Sequence, residues 1–196
     1  MEELTKMTED ALRIFRDIES RRECAIRRSR DIIRETKRMI HSIHISDDGT
    51  VSRDALMKLV SDLISETGGD PFVMNTAPVT DALAEYAEAM ILDSVIKNGC
   101  VLSFGDLNIG PQPWILGLAD CLGEMRRVIL TSLMSGDLEK AESVFSKMEE
   151  ICHELMLFDV PDSILPIRRK QDIARGIMER TRTDIANAVV LSKARC

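Results

Sequence analysis

Two pairs of carboxylates stand out in this 196-residue chain. Asp120 and Glu124 sit one turn apart in WILGLADCLGEMRRVIL, and Glu85 and Glu88 sit three apart in DALAEYAEAMILDSVI. Both stretches have helical spacing, so each pair falls on one helix face, where like charges cost a few tenths of a kcal/mol. Glu85 and Glu88 have no Lys or Arg four residues away to relieve them. Two such helices facing each other would make an oxygen-rich cage of the kind that holds Mg²⁺ or Mn²⁺. A cation there would activate water and stabilise charge on a phosphate. No His falls at these positions, which speaks against zinc and against a di-iron ExxH site. The same spacings are common on solvated helices, because Glu is a good helix former. Spacing alone therefore leaves both readings open. Gly117 and Gly123 lie beside Asp120 and Glu124 and would let another backbone or a ligand approach closely.

A second constellation is basic. ESRRECAIRRSRDIIRETKRMIHSIH spans residues 19–44, and Arg27, Arg30, Arg34, Lys37 and His41 recur at helical spacing beside an apolar stripe, with Arg38 next to them. Such a ridge suits a phosphate backbone, where Lys and Arg release counterions. It also suits a solvated face paired internally with Glu23, Asp31 and Glu35, of which Glu35 is an outside candidate for an extra metal carboxylate. No aromatic stacking motif accompanies the ridge, so sequence-specific readout is not expected. Net charge is −7, yet residues 12–38 hold ten Lys/Arg and five Asp/Glu, a local +5 that leaves −12 for the remainder.

The elements that must position these groups are helices. Aromatics make up 4% of the chain and hydrophobic residues 44%, a mixture that suits helix-on-helix packing rather than sheets. No Gly or Pro interrupts residues 1–43, and Ala25, Ser29, Ile32, Thr36, Ile40 and Ile43 form a stripe. A helix of ~40 residues is roughly 60 Å long, enough to span a bundle or an oligomer interface. Residues 46–49 read as a turn. Ser52 caps a second helix to about Glu66, stopped by Gly68-Gly69. A third runs to about Lys97, and Pro78 either begins or kinks it. Residues 101–113 are a loop with room for a short extended piece. A fourth helix covers 112–135, a fifth 137–158, and Asp162 or Ser163 caps the last. The expected fold is all-α, one elongated bundle of six or seven helices forming a single domain over residues 1–196.

Five scattered cysteines form no CxxC pair, which points away from a disulfide framework and towards a reducing cytoplasm. No apolar run is long enough to span a membrane. Trp114 is expected to anchor a helix start, Cys121 and Cys152 to be buried small hydrophobes, and His41, His44 and His153 to be polar fillers. Arg126 and Arg127 are placed either to touch RNA or to pair with Glu124.

RRSRDIIRETKRMIHSIH resembles the N-terminal signature of the translin superfamily. EYAEA and WILGLADCLGEMRR are similar to the two motifs that carry carboxylates in its nuclease branch, translin-associated factor X. IRRKQDIARGIMERTRTDIANA, residues 167–188, resembles the family's last helix. The resemblance implies an all-α subunit of an octameric shell with a basic inner surface for single-stranded RNA or DNA. It further implies Mg²⁺-dependent RNA cleavage. Carried over by motif, Glu85, Glu88, Asp120 and Glu124 are the catalytic and metal-holding residues, and Arg27, Arg30, Arg34, Lys37 and Arg38 grip the nucleic acid. The segment between Gly99 and Pro113 is shorter than in the animal protein, which makes the chain a compact, prokaryotic and archaeal-like form in which one subunit serves as both shell and nuclease. The competing expectations are a non-catalytic single-stranded RNA/DNA-binding shell and a purely structural helical protein.

Overall fold

The computed structural model describes residues 2–45 and 52–193. The turn read at residues 46–49 lies outside them. Seven helices follow one another: α1 (Glu2–Ile45), α2 (Arg53–Thr67), α3 (Pro71–Met74), α4 (Ala77–Asn98), α5 (Pro111–Ser135), α6 (Leu138–Met156) and α7 (Arg168–Lys193). No strand occurs among the described residues, and the segment from Val101 to the start of α5 is the expected loop, without an extended piece. The all-α bundle with a long first helix is as the sequence predicts. None of its helices is long and apolar enough to cross a membrane.

Helix ends follow local chemistry. The Ser52 hydroxyl accepts a hydrogen bond from the Asp54 amide at 3.1 Å, satisfying one orphan donor of α2. Gly68, Gly99 and Gly136 close α2, α4 and α5 in the left-handed region, where a residue without Cβ meets no penalty. Pro78 starts α4 rather than kinking it. The last helix starts later than the sequence suggests: Asp162 and Ser163 lie in a turn, and α7 begins only at Arg168. Pro166 explains the delay, because the residue before a proline is pushed out of the α region.

α4 and α5 are the central pair. α1 packs against α4 and carries α2 and α3 on itself, while α6 and α7 pack against α5. The stripe of α1 is buried at Ala25, Ser29, Ile32, Thr36, Met39 and Ser42, with Ile40 and Ile43 half-buried beside it. Its small members let α1 lie close to α4. Residues 2–17, by contrast, are exposed throughout, including Leu4, Met7, Leu12, Ile14 and Phe15. The first third of α1 therefore runs beyond the bundle.

In α4, between Ala82 and Val95, every residue is buried except Glu85 and Glu88. A helix buried nearly all round has neighbours on most of its sides, and the two glutamates sit in the one gap those neighbours leave.

Candidate functional site

Gly117 sets the geometry of the site. A Cβ added there would lie 2.3 Å from the Ala84 carbonyl oxygen, 2.8 Å from the Ala87 Cβ and 2.9 Å from the Glu88 amide nitrogen. No side chain fits in that space, so α5 lies directly against the α4 backbone beside Glu88. Asp120, Cys121 and Glu124 follow Gly117 at three-, four- and seven-residue spacing, on the same side of α5. Gly123 does not share this role, because a Cβ there would meet nothing within 4 Å.

The close approach gathers the four predicted carboxylates into one electrostatic unit. Burial pushes the Glu88 carboxyl from its ordinary value up to about 8, and Asp120, Glu85 and Glu124 push it the same way. Lys170 pulls against them. The Cys121 thiol, buried behind the cluster, is raised well above its usual range by burial, with Glu88, Glu124 and Asp120 adding to the effect. Glu88 is therefore mainly protonated at neutral pH, because a fourth negative charge in this half-buried gap is too costly.

Lys170 and His44 already sit on the cluster, and the spacing patterns single out neither of them. Lys170, in the first turn of α7, donates to both oxygens of Asp120, at 2.5 and 2.6 Å. His44, near the end of α1, joins its Nε2 to Glu124 Oε2. Its Nδ1 is buried without a hydrogen-bond partner among the described residues. His44 is thus more than the polar filler expected of it: from α1, the ring engages one carboxylate of α5. Arg127 adds a looser contact to Glu124 at 3.8 Å, whereas Arg126 turns away to Asp184 at 2.8 Å and Thr181 at 2.9 Å.

The donor types fit a hard divalent cation, since all four carboxylates offer oxygen and none of them is a thiol or imidazole. Yet among the described residues no three His, Cys, Asp or Glu side chains stand together as a ready coordination sphere. Asp120 and Glu124 are engaged instead by Lys170 and His44.

The basic ridge lies along α1 with Arg27, Arg30, Arg34, Lys37 and Arg38 all exposed. Arg34 bonds Asp31 at 2.7 Å, and Arg38 bonds Glu35 at 2.9 Å. Glu35 is thereby committed to the arginines of its own helix, Arg34 lying 3.6 Å away. Arg30 and Lys37 make no ion pair among the described residues and keep their donors available. Trp114 anchors the start of α5 as expected, its indole N–H donating to the Leu102 carbonyl at 2.9 Å and its ring meeting Phe104 edge-on at 5.9 Å.

No family model matches the chain. An uncharacterized protein of Methanocaldococcus jannaschii is 33% identical over 178 residues, which cover 90% of this chain and 80% of that protein. Translin-associated protein X of Pongo abelii is 21% identical over 171 residues, 66% of this chain and 59% of its own length. The chain thus matches little more than half of that curated relative. Among solved structures, the crystal structure of AfC3PO superposes with a TM-score of 0.81 at 28% identity, covering 94% of this chain and 98% of that one. AfC3PO is also known in complex with duplex RNA, a structure that superposes with a TM-score of 0.77 at 27% identity over 94% of this chain and 97% of that one. The likeness covers nearly the whole chain. The chain belongs to the translin superfamily, in a compact archaeal-like form, with translin-associated protein X among the curated proteins it resembles.

Proposed function

We propose that this protein is a Mg²⁺-dependent endoribonuclease acting on single-stranded RNA inside a translin-like homo-oligomeric shell, an octamer by analogy with the family. The observation that carries the reading is the approach of α4 to α5 at Gly117, which sets a half-buried, proton-holding Glu88 among Glu85, Asp120 and Glu124. These four are the metal ligands in this reading, with Mn²⁺ able to replace Mg²⁺. A bound divalent cation would supply Lewis-acid activation of water and neutralise charge at the scissile phosphate. The chain's own residues do the rest. Glu88 gives up its proton when the cluster receives positive charge. His44 holds Glu124 in a fixed orientation, as an outer partner does for a ligating carboxylate. Arg30 and Lys37, with Arg27, Arg34 and Arg38, grip the RNA backbone and steer it in. In-line attack of water is expected to leave 5′-phosphate ends. The complex of AfC3PO with duplex RNA supports RNA as the ligand class. Single-stranded DNA is a further ligand of the same backbone chemistry. A reducing cytoplasm is the proposed setting, in keeping with Cys24, Cys100, Cys121 and Cys152 as free thiols.

A second reading, a shell that binds single-stranded nucleic acid without cutting it, draws on one observation: Lys170 and His44 already occupy Asp120 and Glu124. A cleavage assay separates the two. Labelled single-stranded RNA is incubated with wild-type protein and with Asp120→Ala, in Mg²⁺ and in EDTA. Cleavage by the wild type in Mg²⁺ alone, with binding but no cleavage by the variant, supports the nuclease. Binding without cleavage in every lane supports the silent shell. Cutting by Asp120→Ala at the wild-type rate refutes the assignment of the site.

A further inference from the structure

We infer that metal binding at the carboxylate cluster is an exchange of cations, in which the ammonium of Lys170 occupies Asp120 until a divalent ion displaces it. The inference rests on the metal reading of the site given above and adds a resident competitor to it.

Three observations support it. First, Lys170 Nζ lies 2.5 and 2.6 Å from the two oxygens of Asp120, so one ammonium engages both atoms that a metal would need. Lys170 reaches Asp120 from another helix, α7, which packs on α5. Its four-carbon stem can swing the charge away without moving that helix. Second, α7 opens with Arg168, Arg169 and Lys170 and has no acidic residue in its first turn. Cations there oppose the helix dipole, so helix stability does not account for the lysine. Attraction to the cluster does, since the Lys170 ammonium sits on both oxygens of Asp120. Third, the other pairs that hold Asp or Glu near the site differ in kind. His44 is almost wholly buried and has no room to leave, whereas the Lys170 side chain is 28% exposed and Asp120 42% exposed. The exchange therefore takes place at Asp120, on the open side of the cluster, and Glu124 stays fixed.

A divalent ion and the ammonium of Lys170 would compete for the same two Asp120 oxygens and repel each other at that distance. On this inference, entry of Mg²⁺ or Mn²⁺ breaks the Lys170–Asp120 pair. Removing the lysine removes a competitor and a repelling charge, although it also unpairs Asp120 in the metal-free protein. The consequence is unusual for a neutralising substitution: loss of a basic residue should tighten cation binding rather than leave it unchanged.

The test is a titration of the full-length protein with Mn²⁺, free ion being followed by electron paramagnetic resonance at fixed pH and salt. Wild type, Lys170→Met, Lys170→Arg and Asp120→Asn are compared, with thermal melting of each metal-free protein as the check on folding. Lys170→Met is expected to bind Mn²⁺ about tenfold more tightly than wild type, the scale of an ion pair of this exposure with its repulsion added. Lys170→Arg should stay within about threefold of wild type, because the charge remains. If Lys170→Met does not fold, Lys170→Gln carries the same comparison. Equal or weaker Mn²⁺ binding by the neutral variant, with binding still lost in Asp120→Asn, overturns the exchange and leaves the metal site standing. Absence of Mn²⁺ binding in wild type and neutral variant alike overturns both.

Discussion

Glu88→Gln should make the metal-free protein more stable, and only at higher pH. The folded state holds a proton on Glu88 up to about pH 8, whereas the unfolded chain releases it near 4.5. Between those values the native state binds more protons, so stability falls as pH rises, by up to about 1.4 kcal/mol per pH unit. Accumulated to pH 8, the cost is on the order of 3–5 kcal/mol, and it vanishes below pH ~4.5, where both states are protonated. Glutamine keeps the shape and is neutral throughout, so it removes the cost. For a chain of this size each kcal/mol moves Tm by about 2–4 °C. In EDTA, at one protein concentration, the variant is expected to melt within about 2 °C of wild type at pH 5 and roughly 10 °C above it at pH 8. The assay is a pair of thermal melts followed by circular dichroism. An equal gap at the two pH values, or a variant that melts below wild type at pH 8, would refute the argument that burial and the neighbouring carboxylates keep Glu88 protonated.

Two other substitutions separate packing from function. Gly117→Ala forces a Cβ to within 2.3 Å of the Ala84 carbonyl oxygen and should cost about 1–3 kcal/mol or more, while Gly123→Ala enters open space and should be neutral or stabilising by up to ~1 kcal/mol; urea melts of both variants check this. Arg30→Ala combined with Lys37→Ala should weaken RNA binding and make the slope of log affinity against log salt shallower by about 1.4, the value for two phosphate contacts on a single strand. Arg34→Ala combined with Arg38→Ala should weaken it less, because those side chains are held by Asp31 and Glu35; filter binding at several salt concentrations distinguishes the pairs.

The sequence made the helices legible where local chemistry marks them. Ser52 caps α2, and the glycines at 68, 99 and 136 end their helices, because capping and left-handed φ are properties of a few neighbouring residues. α3 escaped notice because four residues give no periodicity. The burial of α4 is not legible for a different reason: alanine and other apolar residues point in nearly every direction, so no single stripe marks its packed face. The two glycines of α5 are indistinguishable in sequence, and only the backbone of α4 shows that 117 is crowded and 123 is not. The carboxylates were legible as pairs, since each pair lies within one helix. Their partners were not: His44 and Lys170 are separated from Glu124 and Asp120 by 80 and 50 residues, beyond any helical spacing rule. The three basic residues that open α7 against its dipole were the available clue.

The central claim is that Glu85, Glu88, Asp120 and Glu124 hold a divalent cation between α4 and α5. Crystals of the protein soaked in Mn²⁺, measured at a wavelength where manganese scatters anomalously, test it most directly. The account predicts one or two anomalous peaks bounded by these four carboxylates, at about 2.0–2.3 Å from their oxygens, with Lys170 withdrawn from Asp120. A peak elsewhere, or none while the Lys170–Asp120 pair stays closed at saturating Mn²⁺, would contradict it.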